Sequence, residues 1–144
     1  MNENKIASEV IGAAIEVHKA LGIGLSASTY FDCIEYELES RGIFVERNVA
    51  VPIFYKNRVI NAGTIIPILV ENKVIVELKF INRFCEKDIL CMKSNLYASD
   101  LKLGLMINFD SKFIKGDAIK RVVNGLIDEN HYNQNPDNID RIAI

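Results

Sequence analysis

The sequence predicts an α+β fold, a mixed central sheet flanked by helices, in the order ααβββαβ plus a short final element. Three patterns carry this reading. Residues 5–41 hold two apolar stripes at helical spacing. Residues 44–80 hold alternating apolar residues divided by two polar turns. A helical segment then separates them from Leu103–Phe109, a continuous apolar run of the kind found in a strand buried on both faces.

The elements follow in order. The first helix runs from Lys5 to Leu21. Its stripe is Ile6, Val10, Ile11, Ala14, Ile15, His18 and Leu21, and Gly22-Ile-Gly24 ends it. The second runs from about Ser26, a candidate cap, to Arg41. Tyr30, Cys33, Ile34 and Leu38 form its inner face, and Gly42 stops it. Phe44–Tyr55, with alternating Val45, Val49, Val51, Ile53 and Tyr55, is the first strand. Val59–Val70 and Val74–Phe80 follow, joined by Lys56-Asn57-Arg58 and Glu71-Asn72-Lys73, so the three are antiparallel neighbours. A helix over Glu86–Ser99 turns in Ile89, Met92 and Leu96, with Cys85 a further candidate. It makes Leu103–Phe109 a parallel crossover partner of the third strand. Ile119–Leu126 is a last short strand or helix. Residues 1–127 read as one domain and 128–144 as a polar, Asn-rich tail, either unstructured or docked by Ile139, Ile142 and Ile144.

Composition narrows the functional classes. The chain has 144 residues, 49% hydrophobic and 25% charged, enough apolar content for a packed core. A net charge of −2 excludes a strongly basic nucleic-acid coat. The charge is uneven, however. Residues 79–121 carry nine Lys and Arg against five Asp and Glu. Such a half can face phosphate, or it can be an ordinary solvated surface. The three cysteines (Cys33, Cys85, Cys91) fall at no metal-ligand spacing and read as reduced thiols of a cytoplasmic protein. No leader pattern opens the chain, and no run reaches the ~18 apolar residues of a membrane span.

The residues that suggest chemistry lie on the third strand. Val74, Val76, Leu78 and Phe80 point one way, and Ile75, Glu77 and Lys79 the other. Glu77 and Lys79 therefore stand side by side, with Cα atoms roughly 6.6 Å apart. A Glu-x-Lys pair suits metal-assisted phosphodiester hydrolysis. The carboxylate holds Mg²⁺, and the ammonium orients water or offsets developing charge. It is equally the ordinary form of a solvated ion pair at a strand end. A working metal site needs a second carboxylate. Pairing Val70 with Val74 puts position 67 opposite Glu77, and that residue is Pro67, which has neither a ligand nor a backbone N–H and so marks an edge or a bulge. Glu71 shares the face but lies about 13 Å further along.

Several stretches together resemble the GxxExxY proteins, a group within the PD-(D/E)XK nuclease-like superfamily. They are Ile11-Gly-Ala-Ala-Ile-Glu-Val-His18, Gly22-Ile-Gly24-Leu25, Tyr30, Val74–Lys79, Leu103-Gly-Leu-Met-Ile-Asn-Phe109 and Ile119-Lys-Arg-Val-Val-Asn-Gly125. The resemblance spans roughly residues 5–126. It implies a nuclease-like fold and five polar site positions, of which Glu77 and Lys79 match as the catalytic pair and Glu77 as the metal ligand. The motif glutamate falls at Ala27, the second-strand aspartate at Pro67, and a helix glutamine near Cys91.

The reading that follows is a nuclease-like domain with a largely lost metal site. Glu77 remains with one backbone carbonyl near Leu78, too few anionic oxygens to hold Mg²⁺ firmly. With less negative charge about it, Lys79 is expected to face the cleft more openly and attract phosphate. Lys112, Lys115, Lys120 and Arg121 follow the buried strand and are candidates to contact DNA or RNA at the cleft mouth, or are a solvated loop. No cofactor is expected on this reading. Mg²⁺ or Mn²⁺ belongs to the alternative of an active nuclease. On the leading reading the domain binds nucleic acid or a protein partner instead of cutting; a structural or homo-oligomeric module is the third alternative, and no membrane association is expected. His18 is expected as a hydrogen-bonded core histidine, or else as a cleft residue. Glu16 is expected to be solvated and Tyr30 to pack in the core. No base stands near Cys91 in sequence to make it a nucleophile.

Overall fold

A computed structural model describes residues 1–126. The tail expected over 128–144 lies outside the described residues. Two helices come first, α1 (Glu3–Leu21) and α2 (Ala27–Ser40). The strands β1 (Val45–Tyr55), β2 (Arg58–Val70) and β3 (Val74–Lys79) follow. Then come α3 (Glu86–Ser99), β4 (Leu103–Asn108), a 3₁₀ turn at Gly116–Ala118 and β5 (Ile119–Val123). The element expected over Ile119–Leu126 is thus a strand. The sheet order is β1-β2-β3-β4-β5, antiparallel except for the β3–β4 pair.

Each face of the sheet buries its own core. Val74, Val76 and Leu78 of β3 join Leu103, Leu105 and Ile107 of β4 against α1 and α2. Ile75, Met106 and Val122 pack with Met92 and Leu96 of α3 on the other side. β4 is buried along its whole length, as a run with apolar cover on both faces must be. The buried face of α1 is Ile6, Ala7, Val10, Ala13, Ala14 and Val17. It is rotated from the expected stripe, so Ile11, Ile15 and Leu21 flank the core. Alanines at 7, 13 and 14 let the helix approach closely, which large-residue periodicity alone does not reveal. Ser26 precedes α2 without capping it through its side chain. Its hydroxyl meets those of Ser28 and Thr29 instead. Cys85 is exposed, not turned in.

The alternation of β1 and β2 fails at one point. Ile68 lies in the α1–α2 core and Ile66 in the α3 core, although both are even positions of one strand. The ladder pairs Arg47 with Ile68 and Val49 with Ile66, skipping Asn48 and Pro67. Asn48 has φ +54°. Both strands turn over together here, because proline cannot donate to a ladder and asparagine tolerates the left-handed conformation. The β2–β3 ladder also ends here, at Ile68 and Val76. Beyond it β1 and β2 run on as a two-stranded arm. A second offset in the arm lies between Val51 and Ile53. At Gly63, a Cβ would stand 2.0 Å from Ile53 Cγ1, so the strands cross there only because the residue is glycine.

Candidate functional site

Glu77 and Lys79 project from β3 on the α3 side, the face that Ile75 also takes. Both are half-buried, and Lys79 Nζ lies 3.6 Å from Glu77 Oε2. The same ammonium lies 3.5 Å from Asp88 Oδ1. Asp88 is the acid that sequence reasoning missed. It sits three residues beyond Cys85, at the third position of α3, where its Oδ2 accepts the Cys85 N–H at 2.9 Å. That placement is the helix-start signature of an acid reaching back to the cap residue. The expectation that Lys79 faces the cleft with little opposition is therefore corrected: it is clasped by two carboxylates, and the trio carries one net negative charge.

The Cys85 backbone N–H is the main influence holding the Asp88 carboxyl below the usual carboxylate range. The Cys85 side chain and the Lys79 ammonium add to it, while desolvation pushes the other way. A carboxyl that titrates lower in the folded than in the unfolded chain contributes stability above its unfolded pKa. That contribution is lost as pH falls through the folded one. Asp88→Asn is thus expected to flatten the acid side of the stability–pH profile, read from urea midpoints at successively lower pH.

Asn108 is a second residue that the sequence did not announce. It pairs with Lys79 in the β3–β4 register and is 4% exposed. Its Nδ2 donates to the Ile81 carbonyl at 2.8 Å, and its Oδ1 accepts from the N–H groups of Ile81 and Asp110. One amide thus ties the chain leaving Lys79 to the loop that follows β4. That loop presents Phe113, 57% exposed, with Lys112 Nζ 5.7 Å and Lys115 Nζ 5.1 Å from the ring centroid. A lone aromatic between lysines gives only a weak signal in a sequence.

The remaining basic candidates divide between the faces. Lys120 pairs with Met106, which pairs with Glu77, so Lys120 stands in the same cross-strand row as the carboxylate. Arg121 points to the opposite face and bonds Asn4 of α1, so it does not join the others at one mouth. Ala27 opens α2 and Cys91 lies on α3, both exposed, and Pro67 occupies the strand turnover. None of the three supplies a carboxylate. His18 stacks edge-on against Phe109 with centroids 5.8 Å apart. Its buried Nε2 has no hydrogen-bond partner among the described residues, contrary to the expected bonded histidine. Glu16 is exposed, as expected. Tyr30 is fully buried and donates its hydroxyl to the Gly22 carbonyl at 2.5 Å.

Comparison with known families places this geometry. The PD-(D/E)XK nuclease superfamily matches residues 4–122, and the chain belongs to that superfamily. Comparisons with curated proteins and with solved structures return no significant match. The fold is the superfamily's α+β arrangement of a mixed sheet between helices. Enzymes of this class use a divalent metal, and the residues present here do not fit one. Among the described residues, no group of three or more His, Cys, Asp or Glu side chains is placed to hold a metal ion. The two acids that do converge are bridged by an ammonium, which already satisfies the charge a cation would. No described helix is long and apolar enough to cross a membrane.

Proposed function

We propose that this chain is a non-cutting member of the GxxExxY group that binds nucleic acid with the surface beside its degenerate nuclease site, acting as one domain over residues 1–127. The observation that carries this reading is Phe113, exposed between Lys112 and Lys115 at the same sheet end as Lys79. An exposed ring offers a stacking platform for an unpaired base, and the lysines offer charge to the adjoining phosphates. Lys120 extends that charge along the Glu77 row. Arg121 acts through α1, as a support and not as a phosphate contact. The Glu77–Lys79–Asp88 trio supports the loss of cutting, since its cation is built in.

Binding of labelled single- and double-stranded DNA and RNA tests the proposal. Salt-sensitive binding without cleavage is expected. Phe113→Ala should weaken it by about 1–3 kcal/mol, the usual worth of one stacked base. Lys112→Ala and Lys115→Ala should each lower the slope of log affinity against log salt by about one. Absence of salt-sensitive binding would overturn the proposal. Cleavage in Mn²⁺ that disappears in Glu77→Ala would replace it with an active nuclease using Glu77 and Asp88.

A further inference from the structure

We propose that the β1–β2 arm docks into the α1–α2 groove of a second copy of this chain, reciprocally, so that each copy gives one arm and receives one. The arm is apolar where nothing covers it. Phe54 is 73% exposed, and Tyr55, Val59, Ile60 and Ile65 are exposed with it. Phe54 lies opposite Val59, and Ile53 lies opposite Ile60, so the two faces of the ribbon both carry large apolar side chains. An apolar surface of this kind on a projecting element marks a contact site. The arm is also purely basic: residues 48–70 contain Lys56 and Arg58 and no acid.

The groove has the complementary character. It is an open cavity of about 330 Å³ between α1 and α2, with Val17, Leu21 and Cys33 as apolar lining and Glu16, Asp32 and Glu37 as carboxylates. Asp32 is paired with Arg47. Glu16 and Glu37 have no ion-pair partner among the described residues. A basic, apolar arm and an acidic, apolar groove on one chain match each other between copies. Closed reciprocal pairing uses both surfaces at once, whereas head-to-tail pairing would leave ends open.

Two features direct the arm to a groove and away from strand addition. Pro52 removes an edge donor from β1, and the offset near Gly63 twists the ribbon. A nucleic acid is the poorer match, because two cations are few for its backbone and the aliphatic Val59, Ile60 and Ile65 offer no face for base stacking.

Sedimentation velocity of the full chain tests the proposal. The unaltered chain is expected to dimerise. Lys56→Glu with Arg58→Glu should raise the dimer dissociation constant at least about tenfold, and so should Glu16→Lys with Glu37→Lys. Mixing the two double variants should restore a heterodimer, since each then offers the charge the other lacks. Phe54→Ser, which changes no charge, should also dissociate the dimer. Glu16, Phe54, Lys56 and Arg58 are exposed and Glu37 is partly exposed, and unaltered thermal unfolding confirms that the variants fold. A monomeric unaltered chain, dimers indifferent to both double variants, or a mixture that stays monomeric would each overturn the proposal. So would an arm variant that loses DNA or RNA binding while the dimer persists, which would assign the arm to nucleic acid.

Discussion

Replacing Gly104 with valine is expected to destabilise the protein by about 1–3 kcal/mol, the usual cost of forcing extra atoms into a packed core. Gly104 lies in the middle of the sheet, opposite Ile75 on one side and Val122 on the other. A Cβ there would stand 2.3 Å from Met92 Sδ and 2.6 Å from Met92 Cγ. Met92 is fully buried, so its thioether has little free space to move into. Either Met92 leaves its rotamer or α3 lifts from the sheet. The second response reaches the site, because α3 carries Asp88 to Lys79. Urea denaturation measures the loss. Met92→Ala alone is expected to cost about 2–5 kcal/mol through the cavity it leaves. In the double variant the new valine occupies part of that cavity, and the combined loss should fall well short of the sum. Strict additivity would show that the two side chains do not compete for one space.

The fold was legible because its signals are local. Helical spacing, the polar turns at 56–58 and 71–73, and the apolar run at 103–109 each state an element within a few residues. The register of Val70 with Val74 followed from loop length and the parallel crossover to β4 from the helix between the strands, and both stand in the structure. What the sequence concealed depends on distance. Asp88 reaches Lys79 from a different element, and nothing between residues 79 and 88 says that this acid of the first helical turn faces the strand while Glu86 does not bond it. The turnover at Asn48 and Pro67 needs both strands, so a strand-by-strand reading runs the alternation straight through it. Arg121 was grouped with Lys120 by proximity in sequence, yet neighbours on a strand face opposite ways. The same rule that separated Ile75, Glu77 and Lys79 from their neighbours separates these two once β5 is known to be a strand.

The second large effect is expected at Tyr30. Its ring is fully buried, with centroids 5.5 Å from Phe80 and 5.0 Å from Phe109. Its hydroxyl donates to the Gly22 carbonyl at 2.5 Å and accepts the Leu25 N–H at 3.3 Å. The segment between is the link from α1 to α2, where Gly22 and Gly24 take φ of +71° and +105°. Two left-handed positions make this link costly to order, and one hydroxyl fastens both sides of it. Tyr30→Phe keeps the ring and strands the two backbone groups, so a loss of about 1–3 kcal/mol is expected. The signature lies in where the loss appears. Exchange of the Leu25 amide should accelerate more than that of the α2 core amides, because the fastening fails before the helix does. Equal acceleration of both would mean that the hydroxyl contributes only to global stability. This bond gives the spacing between Gly24 and Tyr30 a physical reason: one turn into α2, a tyrosine reaches back to close the loop that starts the helix. The link between the two helices is therefore held by packing and hydrogen bonding, with no part taken by the side chain at position 27.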